Sequence, residues 1–273
     1  MFPLPWELNQ LIVDNLFDDP RTLRATTLVC KRAVPFARRH LFYTVTINFD
    51  KDGYHRWERF QNVIRCSSFG IGEHVRHLHV LRSNYAWFSQ NTWSFVTLLP
   101  ILQELTIESA DWTVWHPSDN ESPRQLPLAV SATATANAMR MRTVTKLTLN
   151  GVTWRTFEEL ALFLVRFPDL ATLELKHSAI GQGATYYPST VFRSTSLRSL
   201  HLEDVDKDIV LNWWTMFPSP PALRSLSLRK ISLQEADIVA CVLKLLGHSL
   251  RYLDISFRVD GNVCESAGTP LPI

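Results

Sequence analysis

The sequence predicts an α/β chain: a short three-helix N-terminal module followed by a curved solenoid of about seven to eight strand–helix repeats. Three observations carry this. The spacing L-x-x-L-x-L recurs at Val75-Leu78-Val80, Leu102-Leu105-Ile107, Val144-Leu147-Leu149, Leu170-Leu173-Leu175, Leu197-Leu200-Leu202, Leu223-Leu226-Leu228 and Leu250-Leu253-Ile255. Helix-start signals stand between the copies. The first 41 residues lie outside the period and carry their own punctuation. A fixed period decides the architecture before any propensity argument begins.

In the N-terminal module, residues 1–41, Pro5 sits at a helix start with Leu8, Leu11, Ile12 and Leu16 on one stripe. Asp19-Pro20 opens a second helix, with Leu23, Thr27 and Cys30 at i, i+4 and i+7. Pro35 opens a third, which ends in Arg38-Arg39-His40, cations that the helix dipole favours there. So few residues do not close a core alone. The module is expected to cap the open end of the solenoid, and an apolar stripe left over after that implies another protein.

A degenerate copy, Phe42-Val45-Ile47, precedes the seven full ones. Their starts lie 27, 42, 26, 27, 26 and 27 residues apart, and the one long step marks an insertion near residues 111–140. Within each copy the last two apolar positions, two apart, face one side of a short strand. Between strands, Thr156-Phe-Glu-Glu159 reads as a capping box ahead of Leu160, Ala161, Leu164 and Val165. Ser232-Leu-Gln-Glu235 repeats the device; its helix is expected to bury Ala236, Val239, Ala240, Leu243 and Leu246, with Gly247 as a left-handed stop. Trp213 and Trp214 fall in a helical stretch and read as core. One unit cannot bury its own apolar face, but stacked units share a continuous core. Residues 42–260 are thus assigned to the solenoid and 261–273 to a C-terminal tail.

With 46% hydrophobic and 20% charged residues, the composition is that of a globular chain. Lys+Arg 28 against Asp+Glu 26 leaves a net charge of +2. That is too balanced for a protein whose main work is neutralising phosphates or coating an anionic membrane, so neither nucleic acid nor membrane is expected as a partner. Cys30, Cys66, Cys241 and Cys264 form no CxxC, as suits a reducing compartment. The N-terminus lacks a basic n-region and carries Glu7 and Asp14 within its apolar stretch, and the expected location is cytoplasmic or nuclear.

The period of 26 to 27 resembles the longer-helix class of the leucine-rich-repeat family. Where that family often has Asn or Cys, three residues after the last leucine, this chain has Ser83, Ala110, Val152, Ser178, Val205, Ile231 and Arg258, so an inner asparagine ladder is missing. Leu4-Pro5-x-Glu7-Leu8, with Ile12, Leu16, Leu23 and Leu28-Val29-Cys30-Lys31-Arg32, resembles an F-box. The order F-box then leucine-rich repeats is similar to substrate receptors of SCF (Skp-cullin-F-box) ubiquitin ligases. The resemblance implies that Leu4, Pro5, Leu8, Ile12, Val29 and Cys30 contact the Skp adaptor, and through it the cullin and RING subunits. Where the family usually has Trp, three residues after the cysteine, this chain has Ala33, which implies weaker adaptor binding. The alternative is a leucine-rich-repeat interaction scaffold with a degenerate F-box and no ligase role.

Pleat geometry exposes the residues flanking the repeat leucines. One column down the stack is His79, Thr106, Thr148, Glu174, His201, Ser227 and Asp254; its neighbour is His77, Glu104, Lys146, Thr172, Ser199, Ser225 and Tyr252. Polar and mixed in sign, these columns suit recognition of a protein surface better than of a polyanion. Trp112 and Trp115 precede the Pro-, Ser-, Thr- and Ala-rich insertion, His116 to Ala138, and are candidate interface anchors.

Signals of catalysis are thin. Gly70-x-Gly72 and Gly181-x-Gly183 lack the third glycine of a dinucleotide fingerprint and read as loop glycines. No Walker loop, GxSxG elbow or HExxH occurs. His77 and His79 share a strand face, but two imidazoles do not complete a tetrahedral metal site. The sequence therefore predicts no enzyme and no cofactor, but an adaptor that presents a target protein for ubiquitin transfer by other subunits.

Overall fold

The computed structural model describes residues 5–49, 53–66, 70–81, 96–108, 141–154, 156–181, 196–215 and 222–258. Leu4, Trp112, Trp115 and the insertion lie outside them. Three helices open the chain: α1 (Trp6–Asp14), α2 (Pro20–Val29) and α3 (Val34–Leu41). Asp19 caps α2, its Oδ1 accepting from the backbone N–H of Arg21 at 3.0 Å and of Thr22 at 3.1 Å. Pro20 follows, at a helix position that needs no N–H. His40, in the last turn of α3, lies 2.6 Å through Nε2 from Asp14 Oδ1 and ties α3 to the end of α1.

These helices share a small core of their own, Val13, Leu23, Ala33 and Ala37, flanked by Leu16, Cys30, Phe36 and Leu41. The inward residue of α1 is Val13, which the sequence stripe did not contain; of that stripe only Leu16 packs against the core. Cys30 sits past the end of α2 in extended backbone rather than on the helix.

After α3 come β1 (Thr44–Asn48), α4 (Gly53–Cys66), β2 (His77–Leu81), β3 (Glu104–Glu108), β4 (Lys146–Asn150), β5 (Thr153–Trp154) and α5 (Phe157–Leu164). Then follow β6 (Thr172–Lys176), β7 (Ala179–Ile180), β8 (Ser199–Glu203), α6 (Lys207–Thr215), β9 (Ser225–Ile231), α7 (Ala236–Leu246) and β10 (Tyr252–Phe257). Eight strands form one parallel sheet in the order β1-β2-β3-β4-β6-β8-β9-β10, and β5 pairs with β7 in a separate two-stranded sheet. The degenerate copy is thus a strand, β1, and every sheet neighbour is the nearest long strand in the chain.

Register follows the repeat. Val45, Leu78, Leu105, Leu147, Leu173, Leu200, Leu226 and Leu253 form one row, and Ile47, Val80, Ile107, Leu149, Leu175, Leu202, Leu228 and Ile255 the next. From β2 to β9 no residue of either row is more than 1% exposed. Each such Leu contributes roughly 1.5–3 kcal/mol by burial, which is why the spacing is kept. The row ends at Leu253, which is 45% exposed.

Two residues past the last repeat leucine the chain turns through left-handed backbone at Gly151 (φ 69°), His177 (φ 48°), Asp204 (φ 53°) and Lys230 (φ 56°). The next position plugs the core: Val152, Ser178, Val205 and Ile231 are all buried, and Ser178 Oγ donates to the carbonyl of Lys176 at 3.0 Å. Apolar side chains thus occupy three of these four sites, where the sequence already lacked an asparagine ladder. Gly72 has a different task, since a Cβ there would stand 2.2 Å from the Leu98 carbonyl oxygen.

Helix α5 starts as expected, with Thr156 accepting from Glu159 N–H at 3.3 Å, and buries Phe157, Leu160, Ala161, Phe163 and Leu164; Val165 is partly buried. Trp213 and Trp214 are core. Two expectations for α7 are corrected. Its buried face is Val239, Val242 and Leu246, so the stripe is rotated and Ala240 faces outward. Gly247 is right-handed (φ −48°, ψ −36°), and the helix closes instead through Leu250 N–H donating to the Leu246 carbonyl at 3.1 Å. Among the described residues no helix is long and apolar enough to cross a membrane.

Candidate functional site

Two surfaces remain uncovered after the cores are built. On the helical module, Trp6, Leu8, Leu11 and Ile12 of α1, Phe17, and Leu28 and Val29 at the end of α2 are exposed, the last two at 88% each. Pro5 is exposed as well. The cause is the rotation of α1: Val13 satisfies the small core, so the larger apolar residues point elsewhere. Of the residues assigned by resemblance to an adaptor contact, Pro5, Leu8, Ile12 and Val29 are therefore open, Cys30 is half-buried against the core, and Leu4 lies outside the described residues. Trp6 and Phe17 were not singled out from sequence, and Leu28 was quoted in the F-box-like motif without being assigned a contact; their apolar character in a module with so small a core was the available signal.

The second surface is the sheet face opposite the buried leucines. Its columns are those expected from the repeat: His77, Glu104, Lys146, Thr172, Ser199, Ser225 and Tyr252 are register partners, as are His79, Thr106, Thr148, Glu174, His201, Ser227 and Asp254, although Ser227, expected to be open, is buried. A third column, Glu108, Asn150, Lys176, Glu203 and Arg229, completes the face.

Side chains on this face bond both within and across strands. Glu174 is held by Lys176 Nζ at 2.8 Å and Lys146 Nζ at 3.3 Å. Partial burial pushes its carboxyl up, but the two ammonium groups outweigh that and leave it below the usual carboxylate range. Asp254 accepts from Ser227 Oγ at 3.0 Å and Arg229 Nε at 3.2 Å, which likewise lowers its pKa. His77 Nε2 lies 3.6 Å from Glu104 Oε1, His201 Nε2 3.4 Å from Glu203 Oε2, and Asn150 Nδ2 donates to Glu108 Oε1 at 3.0 Å. His79 stands in the middle column between Thr46 and Thr106.

Along the rim, the left-handed residues form a chain that sequence reading did not find. Asp204 Oδ2 is 3.1 Å from both His177 Nδ1 and Lys230 Nζ, and these contacts hold its carboxyl below the ordinary range. Among the described residues no three His, Cys, Asp or Glu side chains are grouped to hold a metal ion. No protein-family model matches the chain, and no curated protein matches it by sequence.

Proposed function

We propose that the chain is a substrate-recognition adaptor of an SCF-type ubiquitin ligase: an F-box module docks the Skp adaptor, and a leucine-rich-repeat solenoid presents a target protein. One observation carries the first half. The three-helix module has its own core, Val13, Leu23, Ala33 and Ala37, yet leaves Leu8, Ile12, Leu28 and Val29 in solvent. Large apolar side chains left in solvent by a folded module support an interface there. For the second half, the register-matched parallel strands and the 26-to-27-residue period support a solenoid, whose open sheet face offers polar columns to a partner. Catalysis is positional: the adaptor raises the effective concentration of target lysines near the conjugating enzyme.

A second reading keeps the repeats as a binding scaffold without a ligase. It is favoured by Ala33, which stands where the F-box family usually has Trp and is only 3% exposed, spent on the module's own core. Co-purification with the Skp adaptor separates the two. Leu8→Asp with Val29→Asp should abolish capture while leaving the circular dichroism spectrum intact. Failure of the wild type to capture the adaptor selects the scaffold reading.

A further inference from the structure

The sheet face carries five carboxylates, Glu104, Glu108, Glu174, Glu203 and Asp254, and three permanent cations, Lys146, Lys176 and Arg229. All three cations are engaged: both lysines on Glu174, the arginine on Asp254. Glu104, Glu108 and Glu203 are left with imidazole or amide partners, and no Lys or Arg among the described residues pairs with them. The surplus on this face is therefore anionic, although the chain as a whole carries +2. Surplus charge on an interface steers and selects its partner.

We propose that this face receives an extended target segment bearing lysine or arginine, one cation seated at Glu108 on β3 and another at Glu203 on β8, with Glu104 at the other end of β3 adding to the negative field. This rests on the target-docking reading above and gives it a chemistry. Strands β3, β4, β6 and β8 are consecutive neighbours, so three inter-strand steps of about 4.8 Å place the two anionic positions roughly 14 Å apart. An extended segment crossing the strands advances about 3.3 Å per residue, which puts its two cations about four residues apart. Between them it passes Asn150 and Lys176, the latter already neutralised by Glu174, where polar uncharged side chains fit.

The test uses the full chain with decalysine and decaglutamate as probes, titrated calorimetrically at low and at moderate salt. Decalysine should bind the wild type and weaken as salt rises, and decaglutamate should not bind. The triple variant Glu104→Gln, Glu108→Gln, Glu203→Gln should lose at least ten-fold in decalysine affinity; Thr106→Lys, which adds a cation between the first two carboxylates without removing either, should lose about five-fold. Glu58→Gln, on α4, should bind as wild type does. Unchanged decalysine binding in the triple variant and in Thr106→Lys, no binding by the wild type, or preference for decaglutamate would overturn the assignment. Skp capture is measured on the same variants: its retention alongside lost decalysine binding separates this face from the helical docking surface.

Discussion

Lys207 and Glu235 form a buried ion pair that joins the start of α6 to the turn before α7. Nζ of Lys207 lies 3.5 Å from Glu235 Oε2, and Glu235 Oε1 accepts from the Lys207 backbone N–H at 2.9 Å. The lysine also donates to the carbonyls of Val205 at 3.3 Å and Lys230 at 3.1 Å, so each of its polar contacts is inside the protein. Glu235 in turn accepts from Ser232 N–H at 2.7 Å.

Removing one partner leaves the other charge buried and alone. Lys207→Met should therefore cost about 3–5 kcal/mol, whereas the double change Lys207→Met, Glu235→Leu should recover part of that loss. Urea midpoints of the single and double variants check it; a double variant weaker than the sum of both singles would contradict the coupling.

The same pair predicts a pH dependence. Burial pushes the Glu235 carboxyl up, but the N–H groups of Ser232 and Lys207 and the Lys207 charge outweigh it, so its folded pKa lies below the unfolded value. Its stabilisation is present in full above the unfolded glutamate value of about 4.3 and is lost as pH falls through the lower folded value. Glu174 behaves with the same sign. Denaturation midpoints should hold from pH 7 to about pH 5 and fall below about pH 4; in Glu235→Gln the acid-side decline should be shallower.

Folding and docking of the helical module should separate by mutation. Leu23→Ala empties a site 1% exposed and should cost about 2–5 kcal/mol; Leu28→Ala, at a site 88% exposed, should stay within about 0.5 kcal/mol. Thermal melts and adaptor capture on both variants read the two effects. Loss of stability in Leu28→Ala would show that this residue is part of a core.

Gly72 is replaceable only by moving backbone. Alanine there puts Cβ 2.2 Å from the Leu98 carbonyl oxygen, and that oxygen cannot swing aside as a side-chain end would. Gly72→Ala should cost about 1–3 kcal/mol, while Gly247→Ala, whose Cβ would meet only carbonyls at 3.5 and 3.8 Å, should be neutral or stabilising. Equal melting temperatures for the two variants would refute the contrast.

Charge reversal on the sheet face is not neutral everywhere. Glu174→Lys gathers three ammonium groups where one carboxylate now holds two, so it should lower stability by up to about 1 kcal/mol as well as target capture. Ser199→Lys, whose register partners Thr172 and Ser225 are uncharged, is the cleaner probe of recognition. Melting temperatures of both variants beside their target capture distinguish the effects.

The strand rows were legible because a one-residue slip would carry every leucine to the wrong face; period and register are then one constraint. The polar columns came with them. Helix orientation was less legible: Val13 and Val242 are core residues that the stripes omitted, because a short helix with many apolar residues permits more than one inward face. Gly247 misled for another reason, since glycine permits left-handed backbone without requiring it. The His177–Asp204–Lys230 chain was invisible as chemistry, being dispersed over three repeats and joined only by the turn each repeat makes at the same place.

Strand order in chain order also sets how the sheet loosens. Each strand is hydrogen-bonded only to its neighbours in the repeat series, and among the described residues β10 has a single strand partner, β9. Opening β10 therefore breaks one ladder, and its row leucine, Leu253, gives up little burial in doing so. Opening β6 breaks two ladders and uncovers Leu173 and Leu175, both shielded from solvent. Amide deuteration should accordingly run as a gradient along the stack, fastest at β10 and slowest near β6, so that the interior repeats keep their shape while the terminal one breathes.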